Sequence, residues 1–179
     1  EEFKYSVNAN LGILDNKVLR IGNDNNPIYG VNSKTEVGRS AGELYGWIAE
    51  GIFQNTADIQ NHATQVNAQP GDIKFKDLNG DGQITDADRT FLGRTIPKFT
   101  YGFNLNGNYK NIDFTASFNG TYGNKVLDGQ DYYLFNMEAS GNQYKVVTER
   151  YRSETEPGAG KVYRAARGGT QSNSTRLST

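Results

Sequence analysis

Strict alternation of apolar and polar residues constrains this chain more than any other feature. Between Phe3 and Ile13 the apolar set Phe3, Tyr5, Val7, Ala9, Leu11 and Ile13 interleaves with Lys4, Ser6, Asn8, Asn10 and Gly12. The period returns at Phe99, where Phe99, Tyr101, Phe103, Leu105 and Tyr109 share a face with Gly107. Thr100, Gly102, Asn104, Asn106 and Asn108 take the other. Successive side chains of a strand point to opposite faces, so period two over such spans predicts strand and excludes helix. After Lys110-Asn111 the pattern resumes, with Ile112, Phe114, Ala116, Phe118 and Tyr122 set against Asp113, Thr115, Ser117, Asn119 and Thr121. A two-residue turn fixes register, which brings the apolar sets of both arms onto one face. Asp15-Asn16 marks a turn after the first strand, and Val18, Leu19 and Ile21 are expected to continue that strand.

Two architectures accommodate such alternation. In a soluble sandwich the apolar face packs inward, loops are short and strands recur every 8 to 12 residues or so. In an outer-membrane barrel the apolar face meets lipid, the polar face lines the lumen, and tight turns alternate with long loops. Here one connection is Lys110-Asn111, while the stretches before Phe99 and after Gly123 run for dozens of residues. Aromatic residues gather near strand ends (Phe3, Tyr5, Phe99, Tyr101, Tyr109, Tyr122), where interfacial girdles sit. Arms of about 10 to 11 residues are what a tilted strand needs to cross a bilayer. Hydrophobic residues make up only 35% of the chain, thin for a large dry core, yet 11 Tyr and 9 Phe argue against disorder. The expected fold class is all-β: part of a transmembrane antiparallel β-barrel, about three strands, with long loops that hold short helical turns. Residues 1–21 are read as a barrel strand, 22–97 as a long loop, 98–123 as the hairpin and 124–179 as a second loop.

The first loop contains the most specific local pattern. Asp77, Asn79 and Asp81 stand at loop positions 1, 3 and 5, Gly82 at 6, Ile84 at 8 and Asp88 at 12. A hard cation requires about six to eight converging oxygens, a sharp turn at position 6 and a carboxylate that returns from the far end. The expected cofactor is Ca2+. Its ligands would be the side chains of Asp77, Asn79, Asp81 and Asp88 with the backbone carbonyl of Gln83, Thr85 acting through water. Position 12 is Asp where the EF-hand pattern has Glu, as in dockerin-type loops, and the alternative is an Asp/Asn/Gly turn without an ion. No second such loop is visible, which favours a structural staple over a sensor.

Around it, Gly22–Pro27 reads as loop, and Val37–Phe53 as short strands, because Gly38, Gly42, Gly46 and Gly51 recur too often for helix interior. Thr56 is expected to cap helical turns through Thr64, Asp72–Lys76 to form a short strand, and Thr85 or Asp86 to cap a brief helix through Phe91, closed by Gly93. Tyr144–Tyr151 reads as helix. Trp47, Tyr132, Tyr133 and Phe135 are weak candidates for stacking on sugar rings, and loop packing is the favoured reading. Arg150, Arg152, Lys161, Arg164 and Arg167 make the last third locally basic: a solvated surface, or a site for lipopolysaccharide or an acidic substrate.

Several classes are excluded. With no Cys and one His, thiol catalysis, disulfides and zinc centres have nothing to build on, and His62 is expected at the surface of a helical turn. No Ser/His/Asp set, phosphate-cradling glycine loop or paired-carboxylate context stands out, so no enzyme is expected. A net charge of −1 offers nucleic acid no field. No apolar run reaches the roughly 18 residues of a membrane helix. The chain opens in strand pattern without a leader and closes over 173–179 without a cap, so it is expected to be a piece of something longer.

Consecutive motifs then carry a family resemblance. They are Gly42-Glu43-Leu44-Tyr45-Gly46-Trp47-Ile48-Ala49-Glu50-Gly51-Ile52-Phe53-Gln54-Asn55, Pro70-Gly71-Asp72-Ile73-Lys74-Phe75-Lys76-Asp77-Leu78-Asn79-Gly80-Asp81-Gly82, Asp88-Arg89-Thr90 and Ile96-Pro97-Lys98-Phe99-Thr100-Tyr101-Gly102. In this order, and on through Tyr122-Gly123-Asn124, the chain resembles the SusC/RagA family of TonB-dependent outer-membrane transporters. The likeness covers Phe3 to Asn124 well and the remainder loosely. It implies a late, C-terminal-half section of the barrel, without the plug domain or TonB box. It further implies import of oligosaccharides or peptides, powered by the TonB complex, with a SusD-type surface lipoprotein as lid and the cell outer membrane as location. In that orientation Lys110-Asn111 is periplasmic and both long loops are extracellular. The rival reading is a secreted soluble β-domain with a dockerin-like calcium loop, acting in adhesion or assembly.

Overall fold

The computed structural model describes residues 2–135, 137 and 141–165. In chain order its strands are β1 (Lys4–Ile13), β2 (Ile28–Tyr29), β3 (Ser33–Thr35), β4 (Glu43–Gly46), β5 (Ala49–Ile52), β6 (Ile73–Phe75), β7 (Thr90–Gly93), β8 (Phe99–Tyr109) and β9 (Ile112–Tyr122). Two short helices, α1 (Thr56–Gln60) and α2 (Gly129–Leu134), join them. The chain forms two compact units, Glu1–Leu44 with Gly93–Val126 and Tyr45–Leu92 with Leu127–Thr179. Arg167, the polar run 171–178, Asn136 and the side chain of Tyr132 lie outside the described residues.

In the first unit β1, β8 and β9 form one antiparallel sheet in the order β1-β8-β9. The β8–β9 register runs unbroken from Phe99↔Tyr122 to Tyr109↔Ile112, so the turn is Lys110-Asn111 as expected from the pattern. β1 lies against the other edge of β8, from Lys4↔Asn108 to Ile13↔Phe99. Rows of one character therefore cross all three strands. Val7, Leu105 and Ala116 stand in one apolar row, and Ala9, Phe103 and Phe118 in the next. On the opposite face Asn8, Asn104 and Ser117 align, and the neighbouring row is hydrogen-bonded throughout: Asn106 Nδ2 donates to Ser6 Oγ (3.2 Å) and Thr115 Oγ1 to Asn106 Oδ1 (3.1 Å).

No second layer covers the apolar face among the described residues. Ile13 is 81% exposed and Ile112 70%, with Tyr5, Leu11, Phe114 and Phe118 similarly open. In water such a face would be an aggregation surface; against lipid it is the outer wall of a barrel. Eleven residues per strand at ~3.4 Å each, tilted by about 45°, span the ~25 Å apolar band of such walls. Aromatic rings cap the rows at both ends: Phe99 stacks on Tyr122 (4.9 Å) at one, and Phe3 on Tyr5 (6.1 Å) at the other. Tyr101 lies flat over its partner Gly120, where an added Cβ would meet the ring hydroxyl at 2.5 Å. The observed class is therefore the expected one, an all-β antiparallel section of a barrel. Ile13, Phe99 and Tyr122 share one end of the sheet, so both long connections leave from the end opposite the turn.

Two details of the first unit and its connections depart from expectation, and one contact was not anticipated at all. Val18–Ile21 do not extend β1; Val18 instead exchanges backbone bonds with Gly38 and Arg39. β2 and β3 form a small ladder where the pattern indicated only loop. Arg94 reaches back to Asn16 O (3.0 Å) and Asp15 (3.4 Å), which pins the chain where it turns away from β1.

The second unit is built from both long connections. Ile52, Tyr151 and Tyr163 form one buried cluster, with Ile73, Phe135 and Met137 against it. Asp72, fully buried, receives a forked pair from Arg164 (2.6 and 3.3 Å). Tyr151 Oη donates to Gln54 O (3.0 Å) and Tyr163 Oη to Phe135 O (2.7 Å), so each buried ring satisfies its polar tip. α1 is capped by Asn55, whose Oδ1 accepts from Asp58 N (2.8 Å), rather than by Thr56.

The exposed rows make a direct test. In the full-length protein, Phe103→Arg at mid-strand is expected to destabilise by ~2–4 kcal/mol, as lipid-facing cations do. Asn104→Arg, one residue on and on the other face, is expected to cost less than half of that. Denaturant unfolding from lipid vesicles measures both; equal costs would overturn the assignment of faces.

Candidate functional site

The cation-type loop lies in the second unit, between β6 and β7. Its first half is folded by its own side chains. Asp77 accepts from Gly80 N (2.7 Å) and Gly82 N (2.9 Å), Asn79 Oδ1 from Asp81 N (2.9 Å), and Asp81 Oδ1 from Gln83 N (2.8 Å). Asn79 Nδ2 also donates to Asp81 Oδ2 (2.9 Å). These bonds wind the backbone so tightly that Gly80 and Gly82 adopt φ of 75° and 78°, a region open to residues without Cβ. Asp77, Asn79 and Asp81 thus point into one turn.

The second half is anchored to the unit's core. Ile84 is buried with Trp47 and Phe75, and its amide donates to Thr64 O (2.9 Å) while Thr64 N donates to Gly82 O (2.8 Å). That bridge uses the residues on either side of Gln83 and leaves the Gln83 carbonyl out of it. Trp47 Nε1 donates to Thr85 O (2.9 Å). The guanidinium of Arg89 is sandwiched between the rings of Tyr45 and Trp47, at 4.8 and 4.9 Å.

Asp88 closes the loop from beneath. It is fully buried and accepts from Leu78 N (2.9 Å), Asn79 N (3.4 Å) and Thr85 N (2.8 Å), the last within a reciprocal capping box with Thr85. Burial opposes its charge, but the amides of Thr85, Leu78 and Asn79 and a hydrogen bond with Asp77 outweigh it, so its pKa lies below the ordinary carboxylate value. Asp77 and Asp88 thus serve the same turn from its two ends, Asp77 through Gly80 N and Gly82 N and Asp88 through Leu78 N and Asn79 N. The capped helix is a single 3-10 turn, Asp86–Asp88, and stops there: Thr90–Gly93 is β7, not the helix expected through Phe91.

Among the described residues, no three Asp, Glu, His or Cys side chains converge closely enough to hold a metal on their own. The set read from the sequence includes an amide, Asn79, and a backbone carbonyl, Gln83, besides its three carboxylates. The side-chain oxygens of Asp77, Asn79 and Asp81 are at present directed to the loop's amides.

The remaining candidates fall out differently. Trp47 is 9% exposed and belongs to the core, which leaves no ring face for a sugar. Phe135 packs on Tyr144 (5.2 Å) and the Ile52 cluster. Tyr133 on α2 is 72% exposed. His62 is not at the surface: it packs edge-on against Phe53 (5.3 Å), with Nδ1 at 2.9 Å from Ala63 O. Of the basic residues, Arg150, Arg152 and Arg164 line a single cavity, a convergence that sequence spacing does not reveal.

With this geometry in view, comparison with known proteins is decisive. The chain is 30% identical over 138 residues to TonB-dependent receptor P3 of Formosa agariphila, 72% of this chain and 14% of that protein. It is 33% identical over 97 residues to TonB-dependent receptor P26 of the same organism, 54% of this chain and 10% of that protein. This chain belongs to the TonB-dependent receptor family, of which it spans a segment. TonB-dependent receptor P39 of that organism is similar over more of it, 27% identical across 84% of the chain and 18% of the receptor. The chain therefore covers less than a fifth of the length of each of these relatives. No protein-family model matches it.

Asp88 gives this receptor segment a testable weak point. Asp88→Ala leaves three amides without their acceptor and is expected to destabilise the second unit by on the order of 3 kcal/mol. Because its folded pKa is depressed, the stabilisation is present above the unfolded value of about 3.9 and lost as pH falls through the folded value. The protection of the Leu78, Asn79 and Thr85 amides from hydrogen exchange, measured against the intrinsic rate at each pH, should therefore fall as the wild type is acidified through the depressed Asp88 pKa. In the alanine variant that protection should be low and independent of this titration.

Proposed function

We propose that the chain is a wall-and-loop section of a SusC/RagA-type importer, which carries oligosaccharides or peptides through the outer membrane. The TonB complex supplies the energy and a SusD-type surface lipoprotein partners the receptor. Lys110-Asn111 faces the periplasm and the two long connections lie outside the cell. The observation that carries this reading is the β1-β8-β9 sheet, an exposed apolar face backed by a polar one, in a chain that is 30% identical to a TonB-dependent receptor. The polar face favours a hydroxyl-rich solute. Its rows are Asn, Ser, Thr and Gly, with charge only at Lys4 and Asp113 near the turn. Such a wall offers donors and acceptors without holding a charge in place. A secreted soluble β-domain for adhesion or assembly would have to bury the apolar rows, and no described residue covers them.

The test uses the full-length receptor. It should fractionate with the outer membrane, co-purify with a surface lipoprotein, and take up a labelled oligosaccharide only while TonB is present. Recovery from the soluble fraction, or uptake indifferent to TonB, would overturn the reading.

We further infer that the 77–88 loop takes Ca2+ as a structural staple, held by the side chains of Asp77, Asn79, Asp81 and Asp88 and the Gln83 carbonyl, with Thr85 through water. Support comes from the winding already in place, in which Asp77 gathers the amides of Gly80 and Gly82 while Asp88 returns beneath the same turn to the amides of Leu78 and Asn79. Asp88 is a poor probe, because its loss harms the fold with or without an ion. Asp81→Asn removes charge and keeps an acceptor for Gln83 N. At a tenfold excess over its Kd, calcium should stabilise the wild type by about 1.4 kcal/mol relative to chelator. The Asn variant should lose most of that difference in a thermal melt. A wild type unmoved by millimolar calcium refutes the staple.

A further inference from the structure

The second unit contains a cavity of about 620 Å3 lined by Gln69, Pro70, Arg150–Glu154, Arg164 and Ala165. Three backbone segments build it. Tyr151 N bonds Val162 O (3.0 Å), Arg164 N bonds Gly71 O (2.8 Å), and Gly71 N bonds Phe53 O (2.7 Å), so the walls are set by main-chain bonds rather than by flexible side chains. Arg150 and Arg152 lie two apart on either side of Tyr151, whose ring is buried. The volume suits one or two sugar rings or a compact charged group.

The three arginines are held in different ways. Arg164 is fixed by its fork to the fully buried Asp72, which also accepts from Gln69 N (2.9 Å). Arg152 Nη2 donates to Thr148 O (3.0 Å), one of its five donors. Half-buried Arg150 donates its amide to Val147 O (3.2 Å), and no hydrogen bond or ion pair of its guanidinium is found among the described residues. The carboxylate in the lining, Glu154, is occupied by Thr56, accepting from its amide (3.0 Å) and its hydroxyl (3.2 Å). Asp72 neutralises Arg164 and Glu154 offsets one further cation, so the cavity keeps a surplus of one positive charge. Planar guanidinium forks match the paired oxygens of an oxyanion.

We propose that this cavity binds a single sulfate- or phosphate-type oxyanion carried on a soluble oligosaccharide. Arg150 and Arg152 grip the anion, Arg164 is a fixed donor on the wall, and Ser153, Glu154 and Gln69 meet hydroxyls of the sugar that bears it. One net charge, among groups that pair with hydroxyls, selects a sparsely charged sugar over a polyanionic chain.

The experiment is calorimetric titration of the detergent-solubilised full-length receptor. The probes are a monosulfated tetrasaccharide, its unsulfated parent, a hexa-aspartate peptide and purified lipopolysaccharide. The sulfated sugar should bind more tightly than its parent, and its affinity should fall as salt rises. Arg150→Gln with Arg152→Gln should weaken it tenfold or more while leaving the parent unchanged, and Arg150→Lys with Arg152→Lys should retain most of the binding. No preference for the sulfated sugar, an affinity insensitive to salt in the wild type, or an unchanged glutamine variant overturns the proposal. So does an effect confined to the peptide or to lipopolysaccharide. The salt titration uses the wild type and so decides the matter even if the glutamine variant folds poorly. Binding is read apart from uptake, so this proposal and the importer reading stand or fall separately.

Discussion

The register set at Lys110-Asn111 is the constraint on which the wall depends. Positive φ is confined to the first of the two turn residues, Lys110 at 56°, a conformation that costs an L-residue roughly 1–2 kcal/mol. The pairs from Tyr109↔Ile112 to Phe99↔Tyr122 offset that cost. A slip of one residue would put Asn104, Asn106 and Asn108 on the same face as Phe114 and Phe118, so that either the asparagines meet lipid or the rings enter the lumen. β1 inherits the register through β8, so a single turn orients the side chains of all three strands. The rows then fit laterally as well: large residues face small ones at Phe103↔Ala9, Leu105↔Ala116, Tyr101↔Gly120 and Phe114↔Gly107. This keeps the outer surface even along the wall without a packed second layer.

What could be read in advance followed from how many residues share each signal. Strands of ten or eleven residues repeat their period enough times to be unmistakable, and the structure reproduces their limits nearly to the residue. β2 and β3, with two and three residues, are shorter than any period can reveal. The cap of α1 shifted from Thr56 to Asn55 because both residue types suit the position and only the local path distinguishes them. Thr90 and Phe91 read as the end of a helix because they follow a good cap, yet Tyr45 offers Phe91 an edge-on ring at 5.2 Å and strand geometry prevails. Trp47 suited either ligand stacking or loop packing by residue type, and the structure packs it with Phe75 and Ile84.

The cation-type loop was legible as a pattern but not as a mechanism. Spacing identifies which residues wind the turn; it does not disclose that Asp88 is buried beneath them, holding Leu78, Asn79 and Thr85 by their amides. That arrangement divides the labour. Asp88, Ile84 and the Trp47–Thr85 bond tie the loop to the core whatever else is bound, while Asp77, Asn79 and Asp81 shape a rim whose charges remain close to one another. A cation acting on that rim would tighten a loop that is already folded, which fits a staple better than a switch.

The pairing least visible in sequence organises the second unit. Asp72 and Arg164 are 92 residues apart, in different connections, and meet where neither charge could be buried alone. Removing either would leave the other stranded, so the two long connections are obliged to fold together. The clusters around Phe75 and around Tyr151 and Tyr163 are each only a few side chains, too small to hold long Gly- and Asn-rich segments by burial alone. A specific buried pair supplies the missing constraint, and it does so at the wall of the arginine-lined cavity. The bond that joins the two connections thereby also fixes one of the cavity's donors. Fold and recognition in this unit rest on the same carboxylate.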